Sequence, residues 1–371
     1  MEASRFAFTP FDKSTAFEAW IQSEGIPIIR DFVVSDLRNV EVGRWARMGG
    51  KGAWLVLGSP NDQTATTPYV CEIPSGGSLE PEKHMYEEMI FILDGMGATE
   101  VWIDEKKKRS FEWGPNSLFA PPLNAWHRLV NGSGQKPARF MALTNAPAVF
   151  NLYHNVEFVY DNPFVFRDRY QEDPEYFSGK GEQKPGRVWD SNFIADISKL
   201  SLHEWKERGP AARNVEIELA HNTIAGHISE GRPCVYRKAH RHGPGAFILV
   251  LEGKGYSLMW PEGGTMKRYD WGTGSLFTPP NRWFHQHFTT SKEPVKRLAL
   301  KAWGQKYPIG GWDLMAMGTD EGGDMIEYEK EDPKVRGMYE QELAKVGLKL
   351  QMPPVSYRTG RRDVQAGNDP M

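Results

Sequence analysis

The chain has 371 residues, with 45 Lys and Arg against 48 Asp and Glu, a formal net charge of −3, 40% hydrophobic and 25% charged residues. This is enough globular chain for two domains with their own cores. The charge balance argues against nucleic acid or an anionic membrane surface as partner. Two cysteines, Cys71 and Cys234, cannot supply a disulfide framework, so a reduced, cytoplasmic setting is expected.

In chain order, residues 1–50 read as an extension. Glu2, Arg5 and Asp12 leave no apolar export segment there, and Ser14 with Glu18 ahead of Trp20-Ile21 predicts a short capped helix. Residues 51–150 form a first domain of short strands around 52–57, 69–73, 88–93 and 98–103, with Asp94-Gly95 and Pro115-Asn116 as turn signals. Lys106-Lys107-Lys108-Arg109 reads as a solvated hairpin tip. Residues 151–213 are a connector, with loops at Asn162-Pro163, Asp173-Pro174 and Ser178-Gly179-Lys180-Gly181 and a short helix within 193–207. Strand-like text returns over 214–303 as a second domain. Its longest apolar run, 246–251, is strand-sized and far too short for a bilayer span. The tail, 304–371, has glycine loops at Gly310-Gly311 and Gly322-Gly323 and a helix near Lys334 to Lys345 that packs on the body or on a partner chain. Extension and tail are not needed for two barrels, and a closed homo-oligomer is expected on base rates.

The two strand-rich segments repeat. His84 matches His242 at an offset of 158 positions, and the same offset pairs Gly95 with Gly253, Gly97 with Gly255, Trp102 with Trp260 and His127 with His285. The register also holds for Trp113-Gly114 against Trp271-Gly272 and for Pro121-Pro122 against Pro279-Pro280. One structural unit therefore occurs twice, as two β-barrels or sandwiches.

Metal-ligand chemistry gathers at the same places in both copies. Alternate residues on a strand share a face, so His240 and His242 point the same way, and His285 arrives from a distant strand. Three imidazoles suit a divalent first-row metal and leave part of its shell open for substrate. In the first copy Glu82, His84, Glu88 and His127 offer a mixed set suited to Fe(II), Mn(II), Ni(II) or Zn(II). The Glu88 position becomes Ala246 in the second copy, so the two environments differ. Glu82 and Glu88 have a competing role as ion-pair partners of Lys83 or Arg128. His287, two residues past His285, shares its face and is a candidate base.

These residues carry a resemblance. Glu82-x-His84-x3-Glu88-x6-Gly95 and His240-x-His242-x3-Ala246-x6-Gly253 resemble the first cupin motif. Pro122-Leu123-Asn124-Ala125-Trp126-His127-x3-Asn131 and Pro280-Asn281-Arg282-Trp283-Phe284-His285 resemble the second. The chain thus resembles a bicupin, which implies an all-β fold: two tandem cupin barrels (double-stranded β-helices, or jelly rolls), with short helices in extension, connector and tail. His240-Arg241-His242-Gly243-Pro244-Gly245-Ala246, Leu251-Glu252-Gly253 and Trp283-Phe284-His285-Gln286-His287 are similar to the gentisate and salicylate 1,2-dioxygenase group. In that group the three-histidine site lies in the N-terminal cupin; here it lies in the C-terminal one.

The resemblance implies an Fe(II) dioxygenase acting with O2 on a small anionic hydroxyaromatic or enolic acid. His287 would accept the phenolic proton, and Trp283, Phe247 or Trp260 would stack on the ring. The carboxylate-containing first site implies a second reading, a redox-neutral isomerase, decarboxylase or lyase of a small keto acid or sugar. A third is a non-catalytic ligand-binding bicupin.

Overall fold

The computed structural model describes residues 14–59, 65–205, 212–243, 245–309 and 317–358. Glu2, Arg5, Asp12, Pro244 and Gly310-Gly311 lie outside the described residues. Each copy of the repeat folds into a large sheet facing a three-stranded one. In the first copy the large sheet runs Ile28–Asp31, Gly50–Leu57, Thr67–Ile73, Ala138–Thr144, Glu88–Asp94, Leu118–Phe119 and Phe193–Ile194, and Trp126–Asn131, Gly97–Trp102 and Arg109–Trp113 make the small sheet. In the second, Val188–Ser191, Arg213–Leu219, Ala225–Gly231, Val295–Lys301, Phe247–Glu252, Leu276–Phe277 and Val33–Val34 follow the same order, with Lys267–Gly272, Lys254–Trp260 and Phe284–Thr289 opposite.

Two short strands are exchanged. Val33–Val34, ahead of the first barrel, pairs with Leu276–Phe277 of the second, and Phe193–Ile194 of the connector pairs with Leu118–Phe119 of the first. Extension and connector are themselves equivalent. Ile28–Asp31 pairs in parallel with the first barrel as Val188–Ser191 does with the second, and each is followed by a single-turn helix capped by an aspartate, Asp36 or Asp196. The duplication therefore begins upstream of the strands that the histidine spacing reveals.

The strands alternate, and each face has its own burial. Ala53, Leu55 and Leu57 turn outward with Val70, Met141 and Leu143, against Val215, Ile217, Ile228, Leu298 and Leu300 of the other barrel. Burying this apolar seam is what joins the two barrels. The opposite faces line the barrel interiors, and there the copies diverge. The first is filled by Trp54, Tyr69, Cys71 and Phe140, all at most 2% exposed. Pairing Trp54↔Tyr69 and Cys71↔Phe140 in the first barrel corresponds to Glu216↔His227 and Ser229↔Arg297 in the second. The same architecture thus holds an aromatic core once and a charged interior once. The hairpin glycines Gly95 and Gly253 have φ of 92° and 91°, the left-handed region where a side chain is disfavoured.

Several expectations shift. The N-terminal helix is Ala16–Ser23, capped by Thr15, one residue after Ser14, in a capping box with Glu18. Among the described residues, which reach 205 here, the connector helix expected within 193–207 does not form. That segment is strand Phe193–Ile194, a single turn at Ile197–Lys199 and strand His203–Glu204, because Asp196 accepts from Ser198 N and folds the chain into a turn. Two helices fall earlier, Ala146–Tyr153, which straddles the boundary expected at 150, and Val156–Tyr160. The tail helix, Pro333–Lys345, packs on this chain. Val335, Tyr339 and Leu343 bury against Tyr256, Leu258 and Phe288 of the second barrel's small sheet. No helix among the described residues is long and apolar enough to cross a membrane.

Candidate metal centres

His240, His242 and His285 converge in the second barrel, and Glu82, His84, Glu88 and His127 converge in the first. Within each group, one ligand atom per residue lies within 4.8 Å of all the others. Opposite ligands of one ion, each about 2.0–2.2 Å from it, sit about 4.2 Å apart, so each group closes on a metal with small side-chain movements.

Short backbone segments aim the rings. In the second barrel His240 and His285 face each other across an isolated bridge, with His285 N donating to His240 O at 2.8 Å. His240 Nδ1 lies 3.2 Å from the Lys238 carbonyl and His285 Nδ1 3.1 Å from that of Trp283. A carbonyl only accepts, so these Nδ1 atoms carry the protons and Nε2 is left as a lone pair. The three ring centroids are 4.4, 4.8 and 5.8 Å apart. The tail pins this loop: Asp324, 3% exposed, takes Arg282 through both oxygens at 2.6 and 2.8 Å and Arg241 Nε at 2.9 Å. Nothing in the spacing of the histidines pointed to Asp324.

The first centre uses the same device. Glu82 bridges His127, and His84 Nδ1 and His127 Nδ1 lie 2.8 and 3.2 Å from the carbonyls of Tyr86 and Ala125. His84 Nε2 and Glu88 Oε2 are buried with no hydrogen-bond partner at normal distance and stand 3.5 Å apart. Burial works against charge on both, but their attraction outweighs it, holding His84 above the usual imidazole range and Glu88 below the usual carboxylate range. Such a pair is a donor set for a cation. Tyr69 donates to Glu88 Oε1 at 2.9 Å, a supporting contact from the barrel interior that the sequence reading missed.

Access to the two centres differs. Arg47, from the extension, forms an ion pair with Glu82, donates from Nε to Glu24 at 2.9 Å, and lies 5.2 Å from the Trp45 ring and 5.1 Å from the Tyr160 ring. Glu82 is therefore ion-paired, with neither Lys83 nor Arg128: Lys83 donates to the Asn162 carbonyl and Arg128 pairs with Glu100. At the second centre a cavity of about 90 Å³ opens on all three histidines and is lined also by Arg237, His287 and Arg297. His227, passed over in the spacing argument, lines it as well. Trp283, Phe247 and Trp260 do not. Phe247 lies in the seam between barrels, Trp260 stacks on Phe284, and Trp283 packs against Phe32.

Charge in this cavity is mostly positive: Arg232, Arg237, Lys238 and Arg297 line it against one carboxylate, Glu230, which pairs with Arg232. Arg297 is 6% exposed and its Nη1 has no hydrogen-bond partner. Burial, and then Arg237, push its guanidinium down to about 9; burial alone pushes Arg237 to about 10, against a weak lift from Tyr328. Burial and then Arg297 hold His287 well below the usual imidazole range, so its ring is neutral. Trp271 Nε1 donates to Ser257 Oγ at 2.8 Å, and Ser257 Oγ lies 2.8 Å from His287 Nδ1. Ser257 is fully buried and its hydroxyl has no acceptor but Nδ1 within hydrogen-bond distance among the described residues, so it donates there, which assigns the proton of the neutral ring to Nε2.

No family model and no curated protein matches the chain. Among solved structures it is similar to Bacillus subtilis oxalate decarboxylase, a protein with Mn(II) centres, at 14% identity over 73% of this chain and 77% of that one, with a TM-score of 0.48. It is also similar to Lactobacillus farciminis oxalate decarboxylase in a formate complex, at 13% identity over 78% and 92%, with a TM-score of 0.49. Identity at this level transfers neither substrate nor metal. On its own topology, the chain has a tandem cupin-type fold: two jelly-roll barrels, each gathering a candidate metal-binding set.

Proposed function

We propose that this chain is a metal-dependent enzyme that cleaves or rearranges a small carboxylic acid in its C-terminal barrel, without net oxidation. The observation that carries this reading is the cavity itself: a space on three convergent histidines, lined by Arg237 and Arg297, neither of which pairs with a carboxylate among the described residues. At roughly 10–15 Å³ per water-sized group, about 90 Å³ takes a compact acid. An aromatic hydroxyacid together with O2 exceeds that volume and has to extend out through the open side of the cavity. For this reason the redox-neutral reading stands ahead of the Fe(II) dioxygenase reading.

His240, His242 and His285 would hold a divalent ion, Mn(II) or Fe(II), through three neutral imidazoles, and the ion, its 2+ charge undiminished, would supply a template and a Lewis acid. The chain's own residues do the rest. Of the two unpaired cavity arginines, Arg237, three residues before His240, binds a substrate carboxylate. His287, its proton assigned to Nε2, donates a hydrogen bond to negative charge developing on the substrate, in place of the base role that its sequence position suggested. Water exclusion by the barrel walls strengthens both interactions. In a decarboxylation the carbon–carbon bond breaks, CO2 leaves, and the electron pair left on the other carbon takes up a proton.

The test is anaerobic. Protein loaded with Mn(II) or with Fe(II) is given a panel of small keto and hydroxy acids, and CO2 release and isomerised products are measured. Turnover without O2 is expected. Turnover only with stoichiometric O2 uptake overturns the reading in favour of the dioxygenase, and no turnover with either metal favours a binding protein.

The first centre is, on the same reading, a metal site closed to substrate by Arg47. Arg47→Met in a His242→Ala background is expected to raise divalent-cation affinity there by about tenfold or more. That is ~1.4 kcal/mol, a modest part of what a unit charge about 4 Å away contributes at an effective dielectric of about 20. Calorimetric titration with Mn(II) reads it directly; unchanged or weaker binding refutes it.

A further inference from the structure

The interior of the second barrel carries two kinds of buried charge. Glu216, on strand Arg213–Leu219, is answered by Lys301 at 2.6 Å. Arg297, on strand Val295–Lys301, is answered by no carboxylate among the described residues, although it is as buried as Glu216 at 6% exposure. It holds the position that Phe140 fills in the first barrel. There an apolar ring packs against Tyr69, with centroids 6.1 Å apart. A guanidinium in place of that ring forfeits apolar packing and adds desolvation, a cost that an isolated buried ion imposes on a fold without return.

Its surroundings do not relieve the charge. Trp271 offers a ring face 5.8 Å away, while Nη1 stays without a partner. The nearest neighbours add to the imbalance, since the second arginine of the same cavity, Arg237, spends one N–H on the Glu230 carbonyl at 3.1 Å. Arg237 stands three residues before His240, next to the metal loop. Arg297 comes from a different strand of the barrel, on the cavity wall formed with Ser229 and His227. Arg232 and Lys238 also line the cavity but are answered by Glu230 and Glu327, so an acid that occupies it meets two cationic donors, Arg237 and Arg297, that no carboxylate among the described residues engages.

We infer that Arg297 is a specificity-determining residue, reading a second acidic group on a substrate whose first acidic group lies at the metal and Arg237, so that the cavity selects compact dicarboxylates over monocarboxylates. This rests on the function proposed above and goes further, in that it assigns the class of substrate to one residue. Guanidinium and carboxylate match in planar, two-pronged geometry, and a dicarboxylate is the smallest acid that answers both arginines at once.

The experiment uses Mn(II)-loaded protein and two probes of nearly equal size, malonate and propionate, titrated by calorimetry and followed by the Mn(II) electron paramagnetic resonance signal. Wild type is expected to bind malonate at least about tenfold more tightly than propionate, the range expected for one charge-assisted hydrogen bond of about 1.5–3 kcal/mol. Arg297→Met is expected to erase that preference while leaving propionate affinity and Mn(II) content unchanged, and Arg297→Lys to retain part of it. Equal binding of the two probes by wild type, or an unchanged ratio in Arg297→Met, overturns the assignment while leaving the metal-site reading intact. If neither acid binds or perturbs the Mn(II) signal, the function proposed above falls with it. Should Arg297→Met fail to fold, the wild-type ratio and the Arg297→Lys variant decide the matter.

Discussion

His242→Ala and His285→Ala are each expected to lower turnover by more than about 100-fold and to strip one equivalent of metal, whereas His84→Ala strips the other equivalent and leaves turnover within about tenfold of wild type. The scale follows from outer contacts: removing a group that merely orients a metal ligand costs about 10–100-fold, and losing one of three ligands exceeds that. The asymmetry follows from access. His242 and His285 face the cavity, while the set around His84 stands behind the Arg47–Glu82 ion pair. Metal content by plasma emission and turnover of the same preparations check both halves. If His84→Ala is the variant that silences the enzyme, chemistry resides in the first barrel and the cavity argument fails.

Trp54→Ala is expected to destabilise the protein by about 3–5 kcal/mol, the range for truncating a fully buried large aromatic. Trp54 is 1% exposed and meets Phe17, Trp20, Trp45 and Tyr69 edge-on, at centroid distances of 5.6, 5.4, 5.6 and 5.2 Å. Its loss leaves a void at the junction of the N-terminal helix with the barrel, bordering the aromatic cage around Arg47. At roughly 2–4 °C per kcal/mol for a domain of this size, the first calorimetric transition moves down by about 6–20 °C. A shift under about 2 °C refutes the reading of the first barrel as an aromatic-cored scaffold. Mutating the equivalent position of the second barrel, Glu216, instead breaks the contact with Lys301, which makes the two barrels experimentally distinguishable.

The histidine spacing exposed the duplication because ligands and hairpin glycines must recur at fixed places. Gly95 and Gly253 require a left-handed backbone, and His84, His127, His242 and His285 must meet at a point, so both survive in register. What the spacing left hidden has equally physical causes. The equivalence of extension and connector lies in short strands and aspartate caps, where many residue types serve. Arg47, Tyr69 and Asp324 act across 35, 19 and 83 positions of chain, and such contacts leave no periodic trace. Arg297 was invisible for another reason. It sits beside Lys296 on a strand that also ends in Lys301, where such charges read as solvent-facing side chains, and only closure of the barrel turns its face inward.

The exchanged strands Val33–Val34 and Phe193–Ile194 bear on how the molecule is made. As the chain leaves the ribosome, the first barrel waits for residue 194 before its large sheet is complete, and the second closes against a strand synthesised some 240 residues earlier. Neither half is self-sufficient, so fragments cut within the connector are expected to be unstable apart and to recover structure when mixed. Duplication here has produced two interlaced halves, each finished by its neighbour, and a chain that acquires its native form late and as a whole.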